Sequence, residues 1–464
     1  MPIVAAVAVP HPPILHPLVG QGEEAKIHAT QAAYQTAMRF VAAAQPQTVV
    51  VITSHANAYS DWFEISPGSG AAGNLSRFGA PGAKTHVPYN EAFAAAIEAE
   101  AMAKGVPAGC TGRPNAPLDH GATIPLLFLQ QEYTGYQVVR IGISGLGAAQ
   151  HYALGACIAA AAGDAPVAVI ASGDLSHKLR EDGPYGFAPE GPVLDEEITT
   201  ALAEGDFARL MAIDPRLAQK GAECGLRCFV MMAGCLDGRA VDARLLSYEG
   251  TFGVGYAVAT FAPGAPDDTR RFLAKAQQQD ALRLAARKAA EDPFVRLARA
   301  SIAGYLAGGA RSALPPAPLP DALPDELTTT RAGVFVSLHK GGALRGCIGT
   351  IAPTCESTAA EIWQNAVSAA VEDPRFEPLQ PEELDTLEIS VDVLQPPEDI
   401  ASPALLDPQK YGVIVSHAGR RGLLLPALEG VDTAEEQIDI ARRKAGIAPN
   451  APFTLQRFLV VRHE

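Results

Sequence analysis

Residues 3–13, IVAAVAVPHPP, decide how the chain is read. Seven small or β-branched apolar residues in a row are too few for a buried helix and suit a strand covered on both faces. Prolines at 10, 12 and 13 then end the strand and leave His11 just past it. The pattern recurs at 47–53 (QTVVVIT), and an Ala-rich helical segment from near Glu23 to before Pro46 joins the two runs. Working outward, 137–143 reads as a strand, 147–162 as a helix, 166–172 as a strand and 193–212 as a helix. A helix at about 222–236 and strands near 241–248 and 256–262 complete the series, and a Pro/Gly/Asp cluster at 263–268 closes it. Strands alternating with helices predict an α/β sheet.

The remaining sequence predicts a second, smaller α+β domain. Residues 270–310 are helical in period, and Leu314–Pro324 holds five prolines in eleven residues. Strands follow at 333–338, 387–394 and 412–416, with helices at 354–371 and 433–444. The boundaries expected are 1–264, a linker or helix over 265–284, and 285–464. A length of 464 residues agrees with two cores.

Composition narrows the function. Hydrophobic residues make up 48% and charged residues 19%, enough apolar surface to exclude general disorder. A net charge of −15 argues against nucleic acid as a partner, because phosphate binding needs clustered Lys and Arg. Seven cysteines without framework spacing read as free thiols of a reducing compartment, so a cytoplasmic location is expected. The N-terminus lacks the pattern of a signal peptide, and no run of about 18 apolar residues offers a membrane span.

Three histidines stand just beyond expected strands: His11, His55 and His177. In an open α/β sheet ligands bind at the carboxyl ends of the strands, so the three could converge on a metal. One such histidine alone would more often be a loop residue. Their surroundings are Pro10-His11-Pro12-Pro13, Thr53-Ser54-His55-Ala56, Leu118-Asp119-His120-Gly121, Ser172-Gly173-Asp174-Leu175-Ser176-His177 and Ala222-Glu223-Cys224-Gly225. In this order these segments resemble the LigB-type class III extradiol ring-cleavage dioxygenases and their Memo-family relatives, over residues 1 to about 262. The resemblance implies a mixed sheet flanked by helices.

It also implies a function. Matched by motif, His11, His55 and Glu223 would hold iron(II), His177 would be the acid/base, His120 would lie near substrate and oxygen, and Asp174 would orient His177 or cap a turn. Two imidazoles and a carboxylate leave metal positions open for a catechol or aminophenol and dioxygen. In Memo-type relatives a cysteine before glycine occupies the pocket, which makes Cys224 the alternative third ligand. Cys224, Cys228 and Cys235 share one helical face and read better as core, while Glu223 would point about 100° away toward a cleft. His16, His28, His86 and His151 read as surface or structural residues.

Leu344-Arg345-Gly346-Cys347-Ile348-Gly349 reads as a glycine-rich turn, with Cys347 packed or, with a partner, nucleophilic. Together with Pro293–Leu297, Gly333–Leu338, Asp373-Pro374-Arg375-Phe376 and Gly422–Pro426, it resembles an AMMECR-type domain over about 285–464. Arg375 reads as part of a surface ion pair. Three readings stay open: an iron(II) extradiol dioxygenase acting on a small aromatic diol or aminophenol; a Memo-like metal-binding or redox-regulatory protein; and a zinc or copper module that recruits a protein partner. Assembly as a homo-oligomer is compatible with each.

Overall fold

A computed structural model describes residues 3–308, 323–341, 343–428 and 431–464. Most of the proline-rich run Leu314–Pro324 lies outside the described residues. The chain divides into two compact units, Met1–Gln277 and Gln278–Glu464. The segment expected as a linker holds the end of strand Tyr256–Pro266, a 3-10 turn at Asp268–Arg270 and the start of helix Phe272–Ala290.

The first unit is built on one six-stranded mixed sheet. Its order is Gln137–Gly142, Thr48–Thr53, Val167–Ser172, Ile3–Val9, Tyr256–Pro266, Arg239–Glu249. The first four strands run parallel, and the last two pair antiparallel at the edge. Helices cover both faces with separate apolar layers, so strands Thr48–Thr53 and Val167–Ser172 are buried at every position. That burial is why these strands read as unbroken apolar runs. Register then does the positioning: Val9 and Thr53 each pair with Ser172, and Thr53 also pairs with Gly142. Residues a few places beyond these ends emerge side by side on one edge.

The helix expected over 193–212 is broken. Gly205 adopts φ 63°, ending Glu190–Glu204, and Asp206 caps a new helix, Phe207–Ala212, by accepting from Arg209 N at 3.0 Å. Hairpin Gly70–Leu75/Ala80–Pro88 and helices Glu91–Ala103 and His120–Leu129 had no counterpart in the sequence reading. Pro125 inside the last of these masks its helical pattern.

The second unit holds two antiparallel four-stranded sheets. One orders Ala343–Gly349, Val334–Lys340, Leu387–Leu394 and Val460–His463; the other orders Glu398–Ile400, Thr454–Phe458, Gly412–His417 and Arg420–Leu424. Helices Pro293–Leu306 and Thr358–Val371 bury their apolar faces on the first sheet, and Ala434–Lys444 packs on the second. The segment Leu344–Gly349, expected as a turn, is a strand. Its glycines admit close neighbours: a Cβ on Gly346 would lie 2.2 Å from Ala369 O. Among the described residues no helix is long and apolar enough to cross a membrane.

Candidate metal centre

His11 follows strand Ile3–Val9 by two residues and is buried. Its Nδ1 lies 3.0 Å from Ser172 Oγ, and that hydroxyl already donates to Gly121 O at 2.6 Å. Ser172 must therefore accept from Nδ1–H, so His11 Nε2 carries a lone pair that faces the cavity. His55 Nε2 lies 2.9 Å from that nitrogen, and the His120 ring stands 4.0 Å from the His55 ring and 5.2 Å from that of His11. The three rings offer ligand nitrogens within 4.8 Å of one another. Burial, then the neighbouring His55, lowers both His11 and His120 to about 3, which keeps both imidazoles neutral. Neutral imidazole is the form a metal accepts.

Asp174 Oδ1 accepts from the backbone N of His11 at 2.8 Å, and burial pushes its carboxyl up to about 6. It anchors the His11 loop, and it also acts on His177, whose pKa its charge raises. His177 lines the same cavity and stacks on Tyr185, centroids 5.1 Å apart, but lies outside the convergent ligand groups. Its pKa is lowered by burial, against an opposing pull from Asp174.

The structure separates Glu223 from Cys224. Glu223 Oε2 accepts from Leu226 N at 2.6 Å, at the first turn of helix Leu226–Gly234. Its carboxylate satisfies a free helix-end amide and joins neither convergent group. Cys224 Sγ lies 3.5 Å from His11 Nε2, accepts from Asp174 N at 3.3 Å, and forms a convergent group with His11 and Asp174. The helix begins only at Leu226, so Cys224 is not on the face shared by the buried Cys228 and Cys235. That corrects the core reading for Cys224 alone, and it turns Glu223 away from the place expected for it.

Two glycines enforce this arrangement. A Cβ on Gly173 would stand 2.1 Å from Gly225 Cα, so the Ser172–His177 loop and the Glu223–Gly225 loop touch backbone to backbone. Gly173→Ala is expected to part them and weaken metal binding more than tenfold, roughly the cost of losing a supporting contact. Unchanged affinity in an anaerobic metal titration would contradict this.

Asp119 is a residue the sequence reading passed over. Its Oδ1 accepts from Thr53 Oγ1 at 2.8 Å and caps the His120 helix through Ala122 N at 3.0 Å. Thr53 Oγ1 in turn accepts from His55 N at 3.1 Å. Asp119 Oδ2 lies 3.6 Å from Nη1 of the buried Arg140, an ion pair too long for a hydrogen bond. One carboxylate thus ties His55 and His120 together; the only signal in the sequence was a hydroxyl or carboxylate beside each of these two histidines, Thr53 and Ser54 before His55 and Asp119 before His120.

The other histidines lie elsewhere. His16 Nδ1 accepts from Leu18 N at 3.2 Å, and buried His151 contacts Ser144 N and Gly147 O. His28 begins helix His28–Ala43, and His86 is on hairpin strand Ala80–Pro88. Above the centre a cavity of about 910 Å³ is walled by Phe78, Tyr185, Phe252 and Tyr256. Lys26 and Arg180 also line it, each held by a neighbouring acid, Glu23 and Asp182.

Imidazoles, a half-buried thiol and a buried carboxylate, gathered at the carboxyl edge of a mixed α/β sheet, are donors of the kind a metal ion would need, in the setting of the ring-opening dioxygenase and Memo class. The family described as the catalytic LigB subunit of aromatic ring-opening dioxygenase matches residues 5–259, and AMMECR1 matches 295–463. The chain belongs to the LigB family and carries an AMMECR1 domain after it. A protein of Clostridium acetobutylicum is 37% identical over 465 residues, 98% of each chain. One of Thermotoga maritima is 48% identical over 176 residues, 38% of this chain and 98% of its own. A crystal structure from Escherichia coli K12 covers 56% of this chain and 99% of its own, at 16% identity and TM-score 0.39.

Proposed function

We propose that the N-terminal domain binds one iron(II) ion at His11, the residue shared by the groups His11/His55/His120 and His11/Asp174/Cys224, with His55 from the first and Cys224 from the second as further ligands, and carries out redox chemistry with dioxygen, as a Memo-like protein. The observation that supports this best is the pairing of Cys224 Sγ with His11 Nε2 at 3.5 Å while Glu223 serves its own helix. The donor set suits the metal: a thiolate and two imidazoles bind iron(II), and zinc or copper would bind them too. Iron, when bound, would supply Lewis acidity and an electron for dioxygen.

The protein's own groups do the rest. Ser172 holds the His11 tautomer, Asp119 holds His55 and His120, and aromatic side chains line the cavity wall. His177, at that wall and half-buried, can accept and return a proton.

One feature favours a second reading, extradiol opening of a small catechol or aminophenol. The cavity is wide enough for a planar ring, and Tyr185 stacks beside His177. The two readings part in one experiment. Anaerobically loaded protein, mixed with oxygen and a panel of catechols and 2-aminophenols, is expected to consume oxygen without forming a yellow ring-opened product. A yellow product with multiple turnovers would overturn the first reading and establish the second. Metal analysis of protein purified without air tests iron against zinc and copper.

A further inference from the structure

A cavity of about 1050 Å³ opens within the C-terminal domain, walled by strands of both of its sheets. Its size is that of a small-molecule site rather than of a macromolecular interface. Part of its wall is apolar: Phe335 and Ile348 come from one sheet, Leu423 and Leu425 from the other or just beyond it.

The rest is charged, seven Arg and Lys against five Asp and Glu among the described residues, and the cations divide into two sets. Arg375 is gripped by the buried carboxylate of Asp373 at 2.6 and 2.9 Å, and Arg462 by that of Asp392 through two contacts of 2.8 Å. Arg287 likewise pairs with Glu388. These charges are compensated. Arg421 instead contacts the neutral amide oxygen of Gln456 at 3.0 Å, and among the described residues Lys444 has no acid within ion-pair distance. Both are exposed at the cavity.

Cys347 lies in the same cavity, half-buried. Its backbone N donates to Asp373 Oδ2 at 2.9 Å, and its thiol accepts from Ser337 Oγ at 3.3 Å. Arg375 is exposed and ion-paired, as expected, and its partner Asp373 is the same buried acid that holds Cys347, while its Nη2 also reaches Cys347 O at 3.3 Å. The cleft is built, with two positive charges left over and an apolar wall.

We propose that this cleft binds an organic anion with an apolar body. The acid group is held by Arg421 and Lys444, and the body lies against Phe335, Ile348, Leu423 and Leu425, covering Cys347. A ligand that is only apolar leaves the two cations unused; one that is only charged leaves the apolar wall wet.

Cys347 provides the reporter. The full chain would be alkylated with neutral iodoacetamide, and the rates at Cys347 and Cys355 read separately by mass spectrometry. Cys355 bonds to Gln364 Oε1 at 3.0 Å and does not line the cleft, so it is the internal control. The probe is octyl phosphate, set against octanol and inorganic phosphate. At about ten times its dissociation constant, octyl phosphate is expected to slow Cys347 about tenfold by mass action and leave Cys355 unchanged. The variant Arg421→Gln/Lys444→Gln, altered only at exposed positions, should lose most of that protection. No protection from octyl phosphate, equal protection by octanol or by inorganic phosphate, or full protection of the variant would each overturn the proposal.

Discussion

Cys224→Ala protein, loaded with iron(II) under anaerobic conditions, is expected to hold the metal at least about 100-fold more weakly than the parent chain, since loss of a mere supporting partner already costs 10–100-fold. Glu223→Ala is expected to keep its metal. Its cost should fall on stability instead, about 1 kcal/mol for the lost helix-end acceptor. The contrast follows from geometry: Cys224 Sγ is 3.5 Å from His11 Nε2, whereas Glu223 Oε2 is committed to Leu226 N at 2.6 Å. Cobalt(II) substitution gives a second readout. A thiolate-to-cobalt absorption band should be present in parent and Glu223→Ala protein and missing from Cys224→Ala. The reverse pattern in either measurement would return the third ligand to Glu223 and strengthen the ring-cleaving reading.

The second large effect belongs to Asp119. Asp119→Ala removes the acceptor of Thr53 Oγ1 and Ala122 N and strips the buried Arg140 of its acid partner. A buried charge left without compensation costs about 3–5 kcal/mol. Asp119→Asn keeps an acceptor oxygen for the helix cap and loses only the charge, so it should fall between the two. Urea unfolding would measure this in a Trp363→Phe background, where Trp62 alone reports on the N-terminal unit. A loss below about 1 kcal/mol would place Asp119 among ordinary caps. If the protein survives, its iron content should fall too, because Thr53 carries the Asp119 contact on to the backbone of His55.

How much of this was readable in one dimension depends on the range of the forces involved. Strands Ile3–Val9, Thr48–Thr53, Gln137–Gly142 and Val167–Ser172 were legible because burial on both faces demands apolar side chains in succession. Hairpin Gly70–Leu75/Ala80–Pro88 was not, since its glycines and exposed polar positions carry no such demand. Leu344–Gly349 misled because glycine serves turns and close packing alike, and only Ala369 O at 2.2 Å from a Gly346 Cβ shows which applied. The break at Gly205 was local chemistry and could have been marked from the residue itself.

By itself the sequence determined the α/β class, the second α+β domain, and the histidines that follow strand ends, because burial and strand termination act within a few neighbouring residues. It could not choose between Glu223 and Cys224. Which of two adjacent side chains approaches His11 depends on where the loop is pressed, and that is set by Gly173 against Gly225, more than fifty residues apart in the chain. The same holds for the tautomer of His11, fixed through Ser172 by a carbonyl of Gly121, and for the tie between His55 and His120 through Asp119. Only the folded sheet, by aligning the ends of strands far apart in sequence, brings these partners within hydrogen-bond reach.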